Sequence, residues 1–113
     1  MLEIKDNRIY LTRGDSASII INLTDVLGGI YTPIASDKLY FRLKKNVFGD
    51  SLILVKAFDI ETQTLHLTPS DTRNLDFTSY RYEVELITSD NQHYTVIEDA
   101  PFIIGAELET KNE

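Results

Sequence analysis

The residues of this 113-residue chain best suited to chemistry are two histidines, His66 and His93, and two closely spaced glutamates, Glu83 and Glu85. Neither histidine has a second histidine nearby in sequence, and the chain has no cysteine, so spacing assembles no nitrogen and sulfur set for a transition metal. A serine nucleophile needs an adjacent base and a strained elbow such as Gly-x-Ser-x-Gly, and no such segment occurs. On a strand, Glu83 and Glu85 share one face about 7 Å apart, a spacing compatible with paired-carboxylate hydrolysis. That reaction needs one carboxyl with a raised pKa, which an open, solvated face does not supply. We therefore expect no enzyme, no catalytic residue and no cofactor.

Hard oxygen ligands are more plentiful, because Asp25, Asp37, Asp50, Asp59, Asp90, Asn91 and Asp99 fall in loop-like segments where calcium sites are built. None has the Asp-x-Asp-x-Asp-Gly spacing, and turn formation accounts for the same residue types, so no metal is expected. Gly28-Gly29 lacks the lysine and helix of a phosphate-binding loop and reads as a hairpin tip. Arg13-Gly14-Asp15 matches an integrin-binding string, yet a glycine between two strands is what a tight turn requires. Asn22-Leu23-Thr24 is a formal glycosylation sequon, which matters only on a secretory route.

The bulk numbers narrow the field further. A net charge of −7 and basic residues scattered apart from Lys44-Lys45 would repel a phosphate backbone, so nucleic acid is not expected as a partner. No uncharged apolar run nears the ~20 residues of a membrane span, and Met1 to Asp6 lacks a secretory leader, so synthesis in the cytoplasm and no membrane partner are expected. With 42% apolar and 26% charged residues, the length fits one domain over residues 1–108, followed by a polar tail at 109–113.

Whatever chemistry exists must be positioned by strands. Four segments alternate apolar and polar residues with period two: Ala17 to Leu23, Lys38 to Lys44, Thr64 to Thr68 and Tyr80 to Leu86. The pattern sends Ile19, Ile21, Leu39, Phe41, Leu65, Leu67, Tyr82, Val84 and Leu86 into a core and leaves Ile20 as an outward misfit. Weaker strands fill Arg8 to Thr12, Leu52 to Phe58, His93 to Ile97 and Phe102 to Leu108, separated by turns at Gly14, Gly28-Gly29, Gly49-Asp50, Asp59 to Thr62, Ser89 to Asn91 and Asp99 to Pro101. Spacing of this kind predicts an all-β, immunoglobulin-like, two-sheet antiparallel sandwich of about eight strands. Thr68-Pro69-Ser70-Asp71 predicts its one short helical turn. In such sandwiches a corner tyrosine bonds back to the loop entering its strand; Tyr82 is the first candidate and Tyr80 the second, and both also read as ordinary core aromatics. Strands Arg8 to Thr12 and Phe102 to Leu108 are placed at sheet edges, guarded by Lys5, Asp6, Arg8 and Glu107.

Four segments taken in order, Ile9 to Asp15, Asp37 to Lys45, Leu67 to Thr72 and Tyr80 to Leu86, resemble small tail or baseplate proteins of phages and prophages of Gram-positive bacteria. With Tyr94 to Ile97 and Phe102 to Ile104 they resemble the immunoglobulin-like N-terminal domain of upper baseplate proteins. The resemblance implies a virion structural protein that works through contacts with other tail or baseplate proteins and through self-association. A different class of function is a module binding carbohydrate or a cell surface, with Tyr31, Tyr40 and Phe48 as its platform.

Overall fold

A computed structural model describes residues 2–25, 27–45 and 52–106, with the side chains of residues 3–5 outside that description. The predicted turn at Gly49-Asp50, Phe48, Glu107, Leu108 and the tail lie outside the described residues. The chain is all-β with several sheets: β1 (Leu2–Lys5), β2 (Arg8–Thr12), β3 (Ala17–Ile20), β4 (Leu23–Thr24), β5 (Ile30–Tyr31), β6 (Lys38–Lys44), β7 (Leu52–Ala57), β8 (Thr64–Leu67), α1 (Pro69–Thr72), β9 (Ser79–Ile87) and β10 (His93–Gly105). The strands are more numerous than the alternation suggested: Ala17 to Leu23 divides into β3 and β4, and β1 and β5 are added, while β10 joins two expected strands into one.

Six strands form one sheet in the order β1-β2-β10-β9-β6-β7, while β3 pairs with β8 and β4 with β5 in two small sheets. The centre of the large sheet follows the period-two rule without a fault. Burial alternates along all of β6 and β9, so Leu39, Phe41 and Leu43 lie opposite Leu86, Val84 and Tyr82 on the inner face. A slip of one residue would turn every one of these side chains to water, which is what fixes the register. Phe41, Tyr82 and Phe102 meet there in a three-ring cluster with centroids 5.5, 5.7 and 6.1 Å apart, in the offset and edge-on arrangements that ring quadrupoles favour.

The second layer joins the same core, because Ile19 of β3 and Leu65 and Leu67 of β8 are buried in one cluster with Phe41 and Val84. Of the nine residues assigned to the core by periodicity, eight are buried and Ile21 is half-buried against them; Ile20 points outward and is 67% exposed. The helical turn forms as Thr68-Pro69-Ser70-Asp71 predicts, with Asp71 Oδ2 accepting from the Thr68 backbone N–H at 2.8 Å. Its buried Thr72 accepts from the N–H of Gly14, whose φ of 82° is the left-handed turn conformation that glycine allows.

Three expectations are corrected. Asp99 to Pro101 is no turn between strands: β10 runs through it, with register irregularities between Thr95 and Ala100 and a positive φ at Asp99 absorbing the extra residues. Pro101 sits just before the parallel pairing with β2 begins, where its missing N–H costs least. Neither β2 nor residues 102–105 of β10 lie at an edge. The hairpin β1-β2, turned by Asp6 and Asn7 at φ 50° and 67°, covers one side of β2. β10 pairs parallel with the other side of β2, Phe102 opposite Ile9 and Ile104 opposite Leu11. The outer strands are β1 and β7.

Candidate functional site

The polar residues singled out by type are spent on local structure. Glu83 and Glu85 share the outer face of β9, as their spacing requires, but Arg42 of β6 stands between them, 2.7 Å from Glu85 and 3.9 Å from Glu83. His93 Nδ1 lies 3.0 Å from the second oxygen of Glu85. Partial burial pushes the Glu85 carboxyl up, yet the hydrogen bonds from His93 and Arg42 outweigh it and hold the group below its ordinary value. A general acid needs the opposite shift. His66 is exposed and contacts Ser18 Oγ at 3.1 Å across the β3-β8 pair.

The described loop acids are held by local bonds, some of them in turns. Asp25 Oδ1 accepts from the N–H groups of Leu27 and Gly29 at the β4-β5 tip, Asp59 accepts from Glu61, and Asp99 is bound by Arg81 at 3.0 Å. Asp37 is buried, and three donors satisfy it: the Tyr31 hydroxyl at 2.7 Å and the N–H groups of Ile34 and Ser89. Among the described residues no three His, Cys, Asp or Glu side chains converge as a metal cluster. Arg13 of the Arg-Gly-Asp string lies 4.0 Å over the Phe77 ring and donates to Leu75 O, so it is tied to the loop after α1.

Both candidate tyrosines donate to backbone carbonyls. Tyr80, near the start of β9, donates to the backbone carbonyl of Asp76 four residues upstream at 3.1 Å. The Tyr82 hydroxyl instead donates across the domain to Asn7 O at the β1-β2 turn. Burial pushes its pKa up to about 12. Nothing in a Tyr-x-Tyr pattern distinguishes the two, since the choice depends on where β9 begins.

Concave and edge surfaces remain. A crevice of about 840 Å³ opens beside β3, drawn from β3 and β4 (Ile19, Leu23), the first half of β10 (Val96, Ile97) and the inner face of the large sheet (Phe41, Val84). Among the described residues its only charged lining residue is Asp25. Tyr31, also in the lining, has its hydroxyl held in the neutral form first by its bond to Asp37, then by burial and by the nearby charge of Asp90. Tyr31 thus belongs to the crevice, whereas Tyr40 sits on the outer face of β6 under Arg42. The two do not form a shared platform, and Phe48 lies outside the described residues.

The outer strand β7 pairs with β6 alone among the described strands. Leu52 and Val55 on it are half exposed, at 50% and 48%. Its one cation, Lys56, is drawn away from the edge: Nζ donates to Asp71 at 2.7 Å and to His66 O at 2.8 Å, tying the large sheet to β8 and α1. No family model, curated protein or solved structure matches this chain, so its function is read from these surfaces.

Proposed function

We propose that this chain is a non-enzymatic structural protein of a phage or prophage particle, a tail or baseplate component that works by binding neighbouring subunits through its sheet edges. The observation that carries the reading is β7: an outer strand with half-exposed Leu52 and Val55 and with its lysine engaged elsewhere. Unpaired backbone donors and acceptors beside apolar side chains are the surface that accepts a strand from another chain, and they are the surface a monomer normally guards. The segments that resemble baseplate domains supply the biological setting. We also read the two layers as an immunoglobulin-like sandwich, an interpretation supported by the Tyr80 corner and by Ile19, Leu65 and Leu67 packing on the inner face of the large sheet.

Mass spectrometry of particles purified after induction of the parent prophage tests the setting, and light scattering on the isolated chain tests self-association. The chain is expected among the tail proteins. Its absence from particles that contain the other tail proteins, together with a specific hit on a glycan array, would replace this reading with a carbohydrate-binding module.

A further inference from the structure

The crevice beside β3 has a feature that an ordinary gap between layers lacks. Consecutive residues of a strand point to opposite faces, yet Ile19, Ile20, Ile21 and Asn22 all line it, as do Tyr94, Thr95, Val96 and Ile97. A groove touched by every residue in a row runs along the edge of the strand. Both edges are open: β3 pairs with β8 alone, and β10 meets β2 only from Phe102 onward, among the described residues. In the antiparallel β3-β8 pair, Ile21 N–H bonds Gln63 O. By alternation the N–H groups of Ser18 and Ile20 therefore point away from β8, towards the open side.

We propose that this crevice seats an extended strand donated by a partner protein. The donated backbone pairs with the free edge of β3, and apolar side chains at every second position enter the crevice over Phe41 and Val84. A lysine or arginine ends the strand beside Asp25 and Tyr31. Charge complementarity selects this occupant over a second copy. Among the described residues the lining holds a carboxylate and no cation, Asp37 and Asp90 flank Tyr31, and the chain as a whole carries −7. An apolar small molecule would fill the volume but leave the β3 donors unpaired. The inference rests on the reading of the chain as an assembly module and adds the chemistry of the partner strand.

The test is selection from a pool of short peptides with valine, isoleucine or threonine at alternate positions and lysine or arginine at the ends, on the intact chain. Hydrogen exchange then follows the selected peptide. Protection of the Ser18 and Ile20 amides is expected. Ile20→Pro removes a donor on the open edge without touching the ladder to β8, and should weaken binding about tenfold. Ile20→Thr keeps the donor and should bind as the parent does; circular dichroism checks that both variants stay folded. The inference is overturned if no peptide is retained, if protection falls on Leu52–Ala57 instead, if Ile20→Pro binds unchanged, or if self-association buries β3. None of these results bears on the presence of the chain in particles, so the two readings fail separately.

Discussion

The middle of the large sheet and the open side around β3 use the same kinds of residue to opposite ends. In β6 and β9 each buried apolar side chain has a buried partner directly across the ladder, and the outer face is closed by Arg42 between Glu83 and Glu85. Around β3 and the β4-β5 hairpin, Ile20, Leu27 and Ile30 are 67%, 91% and 87% exposed, and the core beneath is reached by a crevice. The first region carries stability. The second gives up part of its burial, which leaves apolar surface and backbone donors available to another chain.

Parallel truncations set the two regions against each other most directly. Phe41→Ala, at the centre of the ring cluster, should cost about 3–5 kcal/mol in a denaturant melt, whereas Ile21→Ala beside the crevice should cost less than about 1.5 kcal/mol because no closed cavity forms. Equal losses would mean that the crevice closes in solution. Gly105→Ala probes the join between β2 and β10: an added Cβ would lie 1.8 Å from Tyr10 Oη, so the ring must move. A loss of about 1–3 kcal/mol is expected, and it should largely vanish in a Tyr10→Val background. Tyr82→Phe and Tyr80→Phe each delete one hydroxyl bond to backbone and should cost about 1–2 kcal/mol, with the larger effect at the more deeply buried Tyr82. No loss at Tyr80 would remove the corner assignment.

The smallest effect concerns acid. Burial pushes the Asp71 carboxyl up, but the bonds from Lys56 and Thr68 outweigh it and leave the group below its ordinary value of 3.8. Glu85 is likewise below its ordinary 4.5. A lowered folded pKa means that the unfolded chain binds more protons, so the stabilisation is complete above those ordinary values and is lost as pH falls through the folded ones. Urea midpoints should decline below about pH 4.5, and Asp71→Asn should flatten that decline. A steeper decline in the variant would contradict the assignment.

The regions also differ in how far they can be read from sequence. Strands β6, β8 and β9 are legible because one face is buried and one is wet, and the helical turn is legible because a cap, a proline and an acid fall in order. β1 is harder, yet it had a signal: Asp6-Asn7 between two short apolar alternations is a two-residue hairpin turn. The continuity of β10 could not be read, because Asp-Ala-Pro is a turn signal unless a neighbouring strand compensates for the bulge. The crevice had no sequence signal, since Ile19, Ile20 and Ile21 are the same residues whether their strand is an edge or an interior one. Only the pairing partners make the difference.

The parallel pairing of β2 with β10 bears on the time the chain takes to fold. Phe102 must find Ile9 across nearly all of the described sequence, and the ring cluster waits for Phe102 to arrive. Such topologies have high contact order and fold in milliseconds to seconds. On the ribosome, β2 stays without its central partner until β10 emerges, so the nascent chain passes through a stage in which Ile9 and Leu11 are presented uncovered. A pulse-labelling experiment should find their amides protected last, together with those of Ile103 and Gly105, which face β2, since the Ile104 N–H bonds Thr78 O on the other side.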